Sequence, residues 1–227
     1  IEKTTHVLQN ISRYLWENRD NFNGTGISIE EALNSVKKQS QRTCLLDIGD
    51  NVGGGSPADG TLIAHGLNKH GINDSFVCLY DPESVDRVKL SGIGSTIILE
   101  MGGKTDNLHG LPLSAEVTIK GIYNGIFKED KPRHGGATNF DQGETAVVSC
   151  KSGLTVMLTS NRMAPFSLEQ LRSCEMAPES FQVLVAKGVN SPLAAYEEVC
   201  SHFIRVDTPG VTSSNLNHFD YQNRRKP

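Results

Sequence analysis

Three consecutive glycines, Gly53, Gly54 and Gly55, constrain this chain more than any other feature. They follow an apolar run, Cys44-Leu45-Leu46, and the polar residues Asp47, Asp50 and Asn51, and they precede Ser56-Pro57-Ala58-Asp59-Gly60-Thr61. Successive glycines weaken any regular element through backbone entropy, so they mark unusual dihedrals or a close backbone approach. The apolar run reads as a strand. Ser56, Pro57 and Asp59 read as an N-cap, a first-turn proline and an acid reaching back, which predicts a helix from Pro57 to His70. A strand, a glycine turn and a helix N-terminus together present N–H groups to an anion or a polar substrate group. A tight strand-to-helix turn that merely needs glycine satisfies the same spacing.

Around this loop the elements follow in a readable order. Val7, Leu8, Ile11 and Leu15 share one face at helical spacing, with Tyr14 and Trp16 beside them. Asn23-Gly24-Thr25-Gly26 is expected to end that helix. Ser28 and Glu31 form a capping box for a second helix to about Lys38. These two helices, residues 1–42, read as an arm that packs against something else or as a lid on the chain's own sheet. From residue 43 strands and helices alternate: a strand at 43–48, the helix after the glycine loop, a strand at 76–80, a helix begun by Asp81-Pro82, and a strand at 96–101. That β-α-β-α-β order predicts a parallel, helix-covered sheet.

The middle of the chain changes character. Leu113, Ala115, Val117 and Ile119 alternate with polar residues, as in a half-exposed antiparallel strand. Asn124-Gly125 predicts a turn, 128–142 a loop, and 145–150 with 154–159 a hairpin. The rhythm then resumes with a helix capped by Ser167, a strand at 181–186, a helix at 192–200 and a strand at 203–206, before a polar tail from 217 to 227. The fold class is therefore α/β: a mixed sheet with packed helices, parallel β-α-β units, an antiparallel hairpin section and a short helical arm. Residues 43–227 form the main domain.

Composition narrows the function classes. The chain has 227 residues, enough to bury a sizeable core, and a net charge of -4 with no lysine-rich run, so nucleic acid is not an expected partner. It has no apolar stretch near 18 residues, hence no expected membrane partner. Five cysteines, an odd number without a C-x-x-C pair, sit largely in apolar strand-like runs and point to free thiols and the cytoplasm. Asn10, Asn23 and Asn73 lie in glycosylation triplets of a kind common by chance. The seven histidines are scattered without a metal-ligand spacing, so no metal site is expected within the chain.

What remains is a set of polar residues at strand ends: Asp47, Asp50 and Asn51 after the first strand, Asp81 after the second, Lys187 after the strand at 181–186, and Asp207 with Thr208 after the last. Ligands of open α/β sheets gather at the carboxyl edge of the parallel strands, so these residues are candidates for one crevice. Arg162, after the hairpin, is a further candidate. Each has a structural alternative as a cap or ion pair, and Asp81 is fully explained as an N-cap. Asp207-Thr208-Pro209-Gly210 also matches a GTPase-type D-x-x-G element, but no phosphate-loop lysine accompanies it.

The glycine motif, with Tyr80-Asp81-Pro82, Met101-Gly102-Gly103-Lys104, Gly110-Leu111-Pro112-Leu113, Gly143-Glu144-Thr145, Val156 to Ser160 with Arg162, Lys187, and Val206 to Thr212 in order, resembles the carboxyl-terminal domain of the microcystinase C (MlrC-type) metallopeptidases. The resemblance spans about residues 30–225. It implies a zinc-dependent hydrolase of peptide or amide bonds in which zinc, acting as Lewis acid on a bound water, is held by an amino-terminal half that this chain lacks. It implies no catalytic residue here. Asp47, Asp50, Asn51, Gly53, Gly54, Gly55, Asp59, Arg162, Lys187, Asp207 and Thr208 would instead line the substrate cleft, with the chain's own amino-terminal domain and a small peptide or amide substrate as partners and a homodimer as a further option. Two departures stand out. Val52 occupies a position where the family carries Pro, which predicts a less rigid loop, and Val189 to Pro192 replaces a His-Phe-Arg-like stretch. The competing expectation is a non-catalytic metabolite-binding or assembly module that uses the Gly53–Gly55 loop and the following helix N-terminus.

Overall fold

A computed structural model describes residues 2–22, 24, 26–131 and 133–223. Its centre is an eight-stranded mixed sheet in the order β10-β1-β9-β2-β8-β7-β4-β3. The parallel strands are β1 (Thr43–Asp47), β2 (Ser75–Tyr80), β8 (Leu154–Thr159), β9 (Val183–Ala186) and β10 (His202–Val206). β1 lies between β9 and β10 and every one of its residues is buried. Helices cover both faces, which is why its apolar run is continuous rather than alternating.

One face packs under α2 (Ile29–Lys38), α3 (Leu62–Lys69) and α4 (Pro82–Ser91), through Leu33, Val36, Ile63, Leu67, Val85 and Val88. The other packs under α5 (Glu169–Arg172) and α6 (Leu193–Tyr196), through Leu171, Tyr196 and Cys200 against Cys44, Leu46 and Phe76. All five cysteines are free, and no helix among the described residues is long and apolar enough to cross a membrane.

The antiparallel half carries the expected alternation. β7 (Thr145–Cys150) and β8 form the predicted hairpin, and β4 (Leu113–Tyr123) pairs with β7. β3 (Thr96–Met101) departs from the parallel order expected of it. α4 carries the chain beneath the sheet, and β3 lands on the far edge, antiparallel to β4. The long strand β4 offers it a full six-residue register, from Thr96 opposite Thr118 to Met101 opposite Leu113. The stretch expected as a loop also holds a two-stranded ribbon, β5 (Ile126–Lys128) with β6 (Asn139–Asp141), fastened by stacking of Phe127 on Phe140. Buried Glu129 anchors its loop, accepting from Ser167 Oγ and the Lys131 amide and pairing with Arg133, which also meets Glu198.

The two amino-terminal helices differ. α2 has the predicted capping box between Ser28 and Glu31 and packs into the domain against α3. Ile27 bridges Val206 in parallel, so this segment also covers the outer edge of β10. α1 (Glu2–Glu17) has its apolar face uncovered; Val7, Leu8, Ile11, Tyr14, Leu15 and Trp16 are all exposed. Asn23 and Thr25 of the expected turn, and residues 224–227 of the tail, lie outside the described residues.

Candidate functional site

Because the five parallel strands run the same way, Asp47, Tyr80, Thr159, Ala186 and Val206 end on one edge. The register sets Leu46 opposite Ala186 and Asp47 opposite Val206, so Lys187 and Thr208 flank Asp47 just beyond the sheet. Lys187 Nζ lies 3.0 Å from Asp47 Oδ2, 3.0 Å from Asp50 Oδ2 and 2.5 Å from the Gly60 carbonyl oxygen. Thr208 Oγ1 donates to Asp47 Oδ1 at 2.5 Å and accepts from the Gly49 amide at 2.8 Å. Asp50 accepts from the amides of Ala58 (2.8 Å) and Gly60 (2.7 Å). All four side chains are buried.

Electrostatics follow from this packing. Burial disfavours the ammonium of Lys187, but Asp47 and Asp50 outweigh it and raise its pKa above the ordinary lysine range. Burial likewise pushes Asp50 up, and Lys187 with the Gly60 amide more than offsets it, holding the carboxyl below its usual value. A lysine engaged by three acceptors is a keystone rather than a nucleophile.

The polypeptide around this keystone is tightly specified. Asp50 draws the Ala58 and Gly60 amides inward, and Ala58 takes φ +67° while its carbonyl accepts from Tyr80 N. A non-glycine residue at that φ is strained, held by the bonds on either side. A Cβ on Gly60 would come within 2.7 Å of Asp50 Oδ2, so glycine is required there.

These contacts displace the helix expected to begin at Pro57: α3 starts at Leu62, with Thr61 as N-cap. Asp59 does not cap it. Its Oδ2 accepts from the amides of Lys104 and Thr105 at 2.9 Å each. The glycines form a short 3-10 turn, Val52–Gly54, closed by Gly55 at φ +96°. Within it the amides of Gly54 and Ser56 bond to Asn51 O and that of Gly55 to Val52 O. The anion cradle expected of glycine turn and helix start therefore loses its helix and three of its amides. Gly53, Gly54 and Gly55 remain exposed at the rim. Val52 donates its amide to the Lys187 carbonyl at 3.2 Å, a bond Pro cannot make, so the loop is tied to the keystone strand by another device.

The remaining candidates divide. Asn51 lies beside the keystone, its amide on Thr212 Oγ1 at 2.9 Å. Arg162 is exposed, its Cζ 5.1 Å from the ring centroid of Tyr80. Asp207, next to Thr208, turns away and accepts from Asn215 Nδ2 at 2.7 Å. Asp81 caps α4 as expected through the Ser84 amide, and it also meets Gly102 N and Lys104 Nζ. Asp59, Tyr80, Asp81, Pro82, Glu83, Lys104 and Thr105 enclose a cleft of about 210 Å³.

Two residues escaped the sequence reading. His109 is buried, with Nδ1 2.8 Å from Asp106 Oδ1 and Nε2 3.2 Å from Val211 N. The carboxylate assigns a proton to Nδ1, and Nε2 lies 3.2 Å from both the Val211 amide nitrogen and the Gly49 carbonyl oxygen. Burial raises the Asp106 pKa, but the His109 and Leu108 contacts bring it below the usual range. This dyad ties the loop after β3 to the Gly49 and Pro209–Val211 segments. The free thiol of Cys78 is pushed up to about 12 by burial and is no nucleophile.

Nor do these donors fit a metal ion. The oxygens of Asp47 and Asp50 are occupied by Lys187, Thr208 and backbone amides, and no group of three or more His, Cys, Asp or Glu among the described residues is placed to hold one.

Fold and site together define a three-layer α/β domain whose polar carboxyl edge is locked by a buried lysine. The chain belongs to the MlrC C-terminus family, whose model matches residues 45–223. A similar solved structure is that of a putative metallopeptidase from Mesorhizobium sp. BNC1, 27% identical with a TM-score of 0.84, over 96% of this chain and 43% of that one. The chain thus spans less than half the length of that neighbour. No curated protein matches it.

Proposed function

We propose that this chain is the carboxyl-terminal part of a zinc-dependent hydrolase of peptide or amide bonds, providing one wall of the cleft while an amino-terminal half holds the zinc. The observation that carries this reading is the preformed carboxyl edge. Lys187 clamps Asp47, Asp50 and Gly60 behind an exposed glycine turn, a rigid surface on which a substrate backbone can lie closely. Family membership and the metallopeptidase neighbour support it. In this reading Gly53, Gly54, Gly55, Asn51 and Arg162 face the cleft. Asp47, Asp50, Lys187 and Thr208 hold its shape, and Asp59 braces the adjoining loop. Asp207 serves the neighbouring turn. The uncovered apolar face of α1 docks on the amino-terminal half, and the five free thiols suit a cytoplasmic protein.

The test is reconstitution. The chain alone and the chain joined to an amino-terminal half of its parent protein are compared for bound zinc by mass spectrometry and for hydrolysis of short linear peptides. Zinc and activity are expected only when both halves are present. Stoichiometric zinc together with peptide hydrolysis by this chain alone refutes the division of labour.

A further inference from the structure

Three cations stand near the carboxyl edge of β2 and its neighbours. Lys187 is buried and fully engaged, and Lys104 is paired with Asp81 and Glu83. Arg162 differs from both: among the described residues its guanidinium has no carboxylate partner, and it lies over the Tyr80 ring. The ring contact seats the guanidinium over Tyr80 and leaves it open to a planar anion. Tyr80 is also among the residues that line the cleft of about 210 Å³. That volume is below the roughly 300 Å³ at which sites for drug-sized ligands begin, and it suits a single amino-acid residue. The cleft's own charges set the orientation. Asp59, Asp81 and Glu83 of the lining disfavour an anion within it, and Lys104 neutralises part of their charge. Arg162 is not among the residues lining the cleft and adjoins it through the shared Tyr80, where no carboxylate among the described residues pairs with it.

We infer that Arg162, seated on Tyr80, recognises a carboxylate of the ligand, with the residue that bears it entering the adjoining cleft. Calling that ligand a peptide substrate rests on the proposed hydrolase reading; the binding chemistry does not. Chain termini and acidic side chains both supply carboxylates. The test therefore uses three probes: acetyl-dialanine as free acid, acetyl-dialanine carboxamide, and acetyl-glutamyl-alanine carboxamide.

Each probe is titrated into the 227-residue chain while the arginine Nε–Hε resonances are followed by NMR. Saturable movement of the Arg162 signal is expected with a carboxylate-bearing probe and not with the neutral carboxamide. Which of the two acids binds better identifies the source. Arg162→Ala is expected to weaken that binding about 10- to 100-fold, the range of a charge-assisted bidentate contact, and Arg162→Lys to restore part of it. Tyr80→Leu, which removes the platform, is expected to weaken it and Tyr80→Phe to retain it. Equal binding of all three probes, no saturable binding of either acid, or indifference to Arg162→Ala overturns the inference.

The reconstituted protein separates this idea from the hydrolase reading. Carboxylate binding without any peptide cleavage removes the hydrolase and keeps the site. Cleavage with equal kcat/KM for all three probes keeps the hydrolase and removes the site. If Arg162→Ala loosens association of the two halves without changing the acid preference, the guanidinium pairs across the domain interface and the inference is likewise overturned.

Discussion

Replacing Lys187 with Met isolates the energetic role of the keystone. The substitution preserves most of the side-chain volume and removes the ammonium, leaving Asp47 and Asp50 buried without their cation and the Gly60 carbonyl without its donor. Removing one partner from a buried ion pair costs about 3–5 kcal/mol, because an uncompensated charge remains. At about 4 kcal/mol the loss is a large fraction of the 5–15 kcal/mol typical of a whole domain. For a chain of this size it corresponds to a fall in Tm of about 8–16 °C.

The pH dependence gives a sharper signature. In the native protein the Asp50 pKa is lowered, so its contribution is present above the unfolded carboxylate pKa and is lost as pH falls through the lower folded value. The raised pKa of Lys187 makes its contribution full below the unfolded lysine pKa, and it is lost only as pH rises through the folded value. Neither effect operates between pH 5 and 8. In Lys187→Met, burial of the Asp50 carboxyl is no longer opposed by the ammonium and its folded pKa rises. The variant then gains relative stability as pH falls and this buried carboxyl takes up its proton. Thermal unfolding followed by circular dichroism at pH 7.5 and pH 5 is expected to show a large deficit that narrows on acidification. A variant within about 2 °C of the parent at pH 7.5, or a deficit that widens at pH 5, refutes the keystone.

Two further outcomes are expected. His109→Ala leaves the Val211 amide and the Asp106 carboxylate without their shared partner and opens a cavity, so urea unfolding should show a loss of about 2–4 kcal/mol; a change below about 0.5 kcal/mol would mean the three loops hold without it. Removing residues 1–22 takes away no buried side chain among those described, so Tm should remain within about 2 °C of the parent while solubility improves; a steep loss of stability would show that α1 packs on this domain.

Much of the fold was legible because its signals are local. The 145–159 hairpin, the alternation through 113–119, the capping box at Ser28 and Glu31 and the cap at Asp81 depend on neighbours within a few positions, and the structure repeats them. The helix start at Ser56–Asp59 obeyed the same local rules and yielded to distant partners. Asp50 takes the Ala58 and Gly60 amides, and Lys104 and Thr105 take Asp59. The direction of β3 was illegible because the competition between β2 and β4 as partners is settled across the sheet.

In the site, strand-end logic brought Asp47, Asp50, Lys187 and Thr208 to one place. It failed for Asp207 because adjacent residues leaving a strand point to opposite sides. His109 carried a usable signal: Asp106 lies three positions before it, between the Met101–Lys104 and Gly110–Leu113 motifs. A carboxylate and an imidazole at that spacing, bracketed by glycines, mark a braced turn.

The separation of the keystone partners along the chain governs when the site can exist. Asp47 is 140 residues from Lys187 and 161 from Thr208, and β1 must lie between strands supplied by the last quarter of the chain. Contacts of such high sequence separation require closure of a long loop before they return any stabilisation. During synthesis Asp47 and Asp50 therefore stay hydrated, and the glycine turn stays unbraced, until residues beyond Thr208 have emerged. A chain stopped before β9 keeps the whole glycine motif and lacks the lysine that gives it shape.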